Sequence, residues 1–194
     1  MDAFLAQNPL LIVIAACEVG FWVLLALGLI TRYLLRRRRA STVILLAVPL
    51  LDVVLVGASL IDVAQGARPG LTHGLAALYL GSTVAFGHPT IRAVDVRVAH
   101  RFAGGPPPVK PPRRGPARVA REWREWGRAV VMAGITVAVS VLIALVARLP
   151  LPAGSRIFAD PFWTWAARDA VIAAVWFVAG PVWATLGQVG RAAR

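Results

Sequence analysis

Five apolar stretches, each close to the length that crosses a bilayer, alternate with short connections and blocks of arginine, and nothing else in the chain constrains its fold as strongly. A helix needs about 20 predominantly apolar residues to traverse the hydrocarbon layer. Residues 10–34, 42–63, 71–90, 129–147 and 162–186 each supply such a run. Lipid offers backbone groups no hydrogen bonds, so a spanning segment is either a helix or part of a closed barrel, and continuous apolar runs of this length are helical. The expected fold is therefore all-α: a polytopic membrane helix bundle with about five transmembrane helices. Composition agrees, with 58% hydrophobic and 15% charged residues against about 25% charged in soluble domains.

Asn8-Pro9 and Asp160-Pro161 each pair a capping residue with a proline suited to the first helical position, which predicts starts for the first and fifth spans. The third span is the weakest, since the stretch GLTHGLAALYLGSTVAFGH holds four glycines, and Arg168-Asp169 interrupts the early part of the fifth. No signal peptide is expected, because MDAFLAQNP has no basic residue before the first apolar run. Cys17, the single cysteine, leaves no intrachain disulfide to form and reads as a packed helix residue.

A net charge of +12 raises nucleic acid as a partner, but the placement of the charge answers that. Arg32 and Arg36 to Arg39, the ten basic residues between Arg92 and Arg128, and Arg191 and Arg194 fall on one side of the predicted topology, 17 of the 21 in all. Arg68, Arg148, Arg156 and Arg168 fall on the other. The positive-inside rule then predicts an N-terminus outside and a C-terminus in the cytoplasm, in a multi-pass protein of the bacterial cytoplasmic (inner) membrane. Topology accounts for the arginines, and no nucleic-acid partner is expected.

The chain divides into three parts on this reading. Residues 1–102 hold three transmembrane helices and a juxtamembrane amphipathic helix, on which Ile91, Val94, Val98 and Phe102 share a face. Residues 103–116 carry six prolines and form an extended cytoplasmic linker. Residues 117–194 hold an interfacial helix and two further spans. In the interfacial helix, Arg118, Arg121 and Arg124 stand beside Trp123 and Trp126, the pairing of cations and indoles that anchors a helix at the headgroup level. Such a cluster also attracts anionic lipid, by about 1 kcal/mol per charge near the surface.

Ionisable residues inside spans cost roughly 2.5–3.5 kcal/mol at the helix centre and so turn towards protein or water. Glu18 falls in the outer half of the first helix, Asp52 near the middle of the second, and Asp62 near its outer end. His73 begins the third, and Arg168 and Asp169 sit about two turns into the fifth. Together they compose a candidate intramembrane polar site, with Asp52 below the others and one turn past Pro49, where the helix is expected to kink. The plainer explanation of Asp62, His73, Arg168 and Asp169 is headgroup hydration, and of Glu18 a structural link between helices. Ala77, Gly81 and Ala85 form a small-residue stripe that admits close helix contact.

Enzyme signatures are missing: there is no phosphate loop, no H-E-x-x-H and no nucleophile elbow. A metal held by His73, Asp62 and Glu18 is a minor alternative, and no metal or cofactor is expected. The segments CEVGFW, GLITRY and HGLAALYLGSTVAFGHPTIRAVD resemble an uncharacterised family of small bacterial multi-span integral membrane proteins, over most of residues 15–102. The resemblance implies a membrane bundle and no particular activity. Two readings follow. One is a small transporter or transport-associated protein using buried carboxylates to bind protons or cations. The other is a non-catalytic interaction or regulatory protein whose basic loop engages anionic lipid, a membrane-protein partner or a second copy of itself.

Overall fold

The computed structural model describes residues 9–192 except 36, 103, 113, 153 and 155, and leaves the side chains of 9–11, 13–15, 18, 38 and 190–192 outside that description. The described residues form helices joined by short connections, with no strand among them. Helix α1 spans Pro9–Tyr33, α2 Arg38–Ala64, α3 Leu71–Phe102 and α4 Pro116–Val146. A single turn, α5, covers Arg156–Ala159, and a last rod is built of α6 (Thr164–Phe177), a π-helical turn (Val178–Val182) and α7 (Trp183–Ala192).

Three of these rods are long and apolar enough to cross a membrane: Arg39–Ala64, Pro116–Val146 and Thr164–Val189. At ~1.5 Å per residue the 26 residues of the first reach about 39 Å, more than the ~30 Å of hydrocarbon. In α1 the described side chains include a shorter apolar run, Val19–Tyr33. The outward faces are those of a lipid-facing protein. On α2, Val43, Leu46, Leu50, Val53, Val54 and Ile61 are all exposed, an apolar stripe at helical spacing where a soluble helix would be polar. The opposite face buries Ser41, Leu45, Val48, Leu55, Val56, Ser59 and Val63.

α3 is the helix that falls short of the apolarity of a span, and the packing shows why. It is the central helix of the bundle, packed by α2, α4 and α6, so much of its surface meets protein and its small and polar residues are inside. His73, Gly74, Ala76, Ala77, Gly81 and Ala85 are buried. A Cβ on Gly81 would lie 2.7 Å from the Met132 carbonyl oxygen of α4, and one on Gly74 would collide with the Phe162 carbonyl. The stripe read from the sequence is thus where α4 closes on α3.

Two prolines alter what the sequence predicts. The expected break between the third span and a separate juxtamembrane helix does not occur: α3 continues through Pro89 to Phe102. Proline in a helix interior removes one backbone hydrogen bond; here the helix carries on beyond it. α2 likewise runs on through Pro49. At Pro181, the missing N–H leaves the Phe177 carbonyl without its usual partner, and the helix widens into the π-helical turn before resuming as α7.

The core has two centres. Val63, Ile143, Ala144, Phe162, Trp163 and Ala166 join α2, α4 and the start of the last rod. Leu55, Val56 and Ala76 join α2 to α3. Asp160 Oδ1 accepts the N–H groups of Phe162 at 2.8 Å and Trp163 at 3.4 Å in the turn before the last rod, but the helix itself begins at Thr164, later than the expected start, and has no side-chain cap. The proline-rich residues 104–112 have no regular structure, and α4 begins at Pro116, a proline in its favoured N-terminal place.

Candidate intramembrane ligand site

Asp52 lines an open-sided cavity of about 1000 Å³ between α1, α2 and α3. Its Oδ2 is buried and has no hydrogen-bond partner among the described residues. Thr83 of α3 is a hydrogen-bonding neighbour of the carboxyl. Cys17 lies next to the same layer, its thiol 3.8 Å from the Leu51 carbonyl, and Tyr79 lines the wall beside it. The walls beyond are apolar, formed by side chains such as Leu25, Leu29, Leu45, Val48, Phe86 and Ile91. A buried polar atom without a partner costs about 1–3 kcal/mol, so Asp52 has hydrogen-bonding capacity that the described protein does not use.

At the arginine-rich end of the cavity an interaction joins α1 to α3. Asp95 receives the Tyr33 hydroxyl at 2.6 Å on Oδ1 and forms an ion pair with Arg32 through Oδ2. The same hydroxyl lies 3.0 Å from the Asp95 carbonyl. At that level the Ser41 hydroxyl donates to the Gly28 carbonyl at 2.7 Å, tying α2 to α1. Arg32, Arg92 and Asp95 all line the cavity mouth.

The other ionisable residues singled out from the sequence stand in separate places. Asp62, ten residues and so ~15 Å along α2 from Asp52, pairs with His73, Oδ2 to Nε2 at 3.2 Å. The Gly70 N–H donates to His73 Nδ1 at 3.3 Å. That donor makes Nδ1 the acceptor and Nε2–H the donor to Asp62, a neutral imidazole clipping the α2–α3 connection. Asp169 is buried against α4, its Oδ2 3.0 Å from the Thr136 hydroxyl. Arg168, on another face of α6, is exposed and stacks its guanidinium 5.5 Å from the Trp165 ring. Glu18 lies on α1, and its side chain is outside the described residues. Among the described residues no group of three or more His, Cys, Asp or Glu side chains could hold a metal ion.

Around Asp169 the structure adds residues that sequence reading passed over. Thr136 and Ser140 are one turn apart on α4, and Trp165 and Asp169 one turn apart on α6. Thr136 faces Asp169, while Ser140 Oγ and Trp165 Nε1 are buried without partners. A hydroxyl inside an apolar run carries no warning in the sequence, because serine and threonine bond back to their own helix, as Thr136 does to the Met132 carbonyl at 3.0 Å.

The Arg and Trp residues of α4 form a bridge as well as a rim. Trp126 donates from Nε1 to the Ala173 carbonyl at 3.0 Å and packs 5.0 Å from the Phe177 ring. Trp123 is 44% exposed, meets Trp126 edge-on at 5.6 Å and reaches the Thr185 hydroxyl at 3.4 Å. These indoles therefore dock the start of α4 on α6 and α7. Arg121 lies 3.9 Å from Glu122, and Arg124 donates to the Ala120 carbonyl at 3.2 Å. Arg118 is half-buried in the first turn of α4.

Apolar outward faces and spanning lengths define a helical membrane protein. The chain is similar to an uncharacterised membrane protein of Bacillus subtilis (strain 168), YmcC, with 35% identity over 89 residues. The match covers 46% of this chain and 48% of that protein, so the chain matches about half the length of its curated relative. This agrees with the resemblance to uncharacterised bacterial membrane proteins read from residues 15–102. No family model matches the chain, and no solved structure matches it.

Proposed function

We propose that the protein is a small transporter or transport-associated protein of the bacterial inner membrane, with Asp52 as the group that binds a proton or cation. The observation that carries this reading is that Asp52 lines a cavity of about 1000 Å³ and keeps a buried, unpartnered Oδ2. A carboxyl so placed is expensive in a membrane unless it meets water or a partner. A passing proton or cation gives it one. Thr83 and Tyr79 flank the same layer and position the carboxyl. On the positive-inside reading, the N-terminus is outside and the cavity mouth at Arg32 and Arg92 opens towards the cytoplasm.

Proteoliposomes loaded with a pH-sensitive dye test it. An imposed Na⁺ or K⁺ gradient should change internal pH, and Asp52→Asn should abolish the change while the variant inserts and folds normally. Equal rates in both proteins would remove Asp52 from the mechanism. A second reading, interaction with anionic lipid through the basic start of α4, is favoured by Arg121 and Arg124 flanking the exposed Trp123.

A further inference from the structure

We infer that the α1–α3 cavity holds one phosphate-headed lipid, its headgroup at Arg92 and Arg32 and its chain along the apolar walls towards Asp52. The inference rests on reading the cavity as a ligand site, and adds what the ligand is.

Length is the first argument. The cavity runs on α3 from Tyr79 to Asp95, and those sixteen residues make ~24 Å. Half of a bilayer of ~40–45 Å, headgroup region included, is close to that distance. The cavity is therefore one leaflet deep, and ends near the bilayer middle at Asp52.

The distribution of polarity is the second. Apolar side chains line the length of the cavity, and cations appear only at its mouth. A wholly polar solute would leave those walls unmatched, and a wholly apolar one would leave the arginines unmatched. An amphiphile satisfies both.

Charge at the mouth chooses its sign. Two arginines stand against one aspartate there. Asp95 holds Arg32 through one guanidinium nitrogen, and the five-donor fork keeps others for a ligand. Arg92 is exposed, lies one turn before Asp95 on α3, and makes no ion pair among the described residues. Planar, bidentate guanidinium groups match phosphate oxygens. Finally, α1 packs chiefly on α2 rather than on α3. The Arg32–Tyr33–Asp95 contact ties α1 to α3 at the mouth, so a chain can enter sideways between the two helices.

Native mass spectrometry of the full-length protein from neutral detergent tests this, with phosphatidic acid and phosphatidylcholine of identical chains as probes. One phosphatidic acid should be retained in preference to phosphatidylcholine. Arg92→Gln should weaken retention about fivefold, the equivalent of one surface charge. Arg92→Lys should keep most of it. Arg97→Gln, an exposed arginine of the same helix outside the cavity, should leave it unchanged, and excess inorganic phosphate should not displace the lipid.

Equal retention of the two lipids would overturn the inference, as would equal losses in the Arg92 and Arg97 variants, which mean a diffuse surface effect. Displacement by inorganic phosphate would make this a site for the free anion and overturn the lipid. Asp52→Asn separates the two proposals. Lost ion-driven pH change with no lipid preference defeats this inference alone. A lipid preference that depends on Arg92, with unaltered pH change in Asp52→Asn, defeats the transport reading alone.

Discussion

The Tyr33 hydroxyl at the end of α1 donates to the Asp95 carboxylate of α3 at 2.6 Å, across 62 residues of sequence. Arg32 binds the other carboxylate oxygen. One acidic residue thus joins two helices that are not neighbours in the chain at the arginine-rich end of the cavity. Both members of the ion pair are largely buried, with side chains 22% and 19% exposed. Hydrogen bonds to charged groups contribute about 1.5–3 kcal/mol. Asp95→Ala should therefore lower stability by roughly 2–3 kcal/mol, and Tyr33→Phe by about half as much. Thermal unfolding in detergent measures both. The double variant should cost less than the two single costs added, because both act through one carboxylate.

Gly74 and Gly81 mark where helices approach backbone to backbone, Gly74 against Phe162 and Gly81 against Met132 and Thr136. A Cβ at either place meets a carbonyl that cannot move without shifting a helix. Gly81→Ala and Gly74→Ala should each destabilise by about 1–3 kcal/mol through overpacking. Gly134→Ala, where a Cβ meets open space, should be neutral or slightly stabilising. The same unfolding experiment ranks the three.

Trp126 ties α4 to α6 through Ala173. Trp126→Phe keeps a ring beside Phe177 and loses only the indole N–H, and should cost about 1 kcal/mol. Replacing Arg118, Arg121 and Arg124 together by Gln in the full-length protein should reduce co-purification of anionic lipid with little effect on unfolding. If unfolding falls as far as lipid content, the arginines serve the fold and the lipid-engagement reading loses its support.

Much of the bundle was legible in the sequence. Span lengths and the small-residue stripe of α3 follow from spacing and residue chemistry, and Pro49 and mid-span depth single out Asp52. What was not legible depended on partners far apart in the chain. Asp95 reads as one more charge in a basic, amphipathic stretch, and nothing local says that Arg32 and Tyr33 meet it. Asp169 reads as half of an Arg-Asp pair, yet adjacent residues on a helix point different ways, and its contact is Thr136. Asp52, Asp62, His73, Arg168 and Asp169, expected to share a site, sit at different places in the bundle, so depth alone could not say which ones face each other. α3 looked weak as a span for the reason that makes it central, since protein on several sides tolerates polar and small residues that lipid does not.

Topology is checked by reporter fusions. Positions 103–116 and 36–41 should give cytoplasmic signals, and 65–70 and 150–160 external ones, on the charge distribution. A cytoplasmic signal from 150–160 would reverse the last two rods relative to the arginines.

The central claim is that Asp52 is an accessible, titrating group in an intramembrane cavity. Infrared difference spectroscopy of the protein in bilayers, wild type minus Asp52→Asn, measures that directly. The expected result is a carboxyl band assigned to Asp52 that titrates as pH is varied and exchanges promptly in D₂O. A band that is absent from the difference, or present but fixed with pH and closed to exchange, would contradict it and leave Asp52 a sealed structural residue.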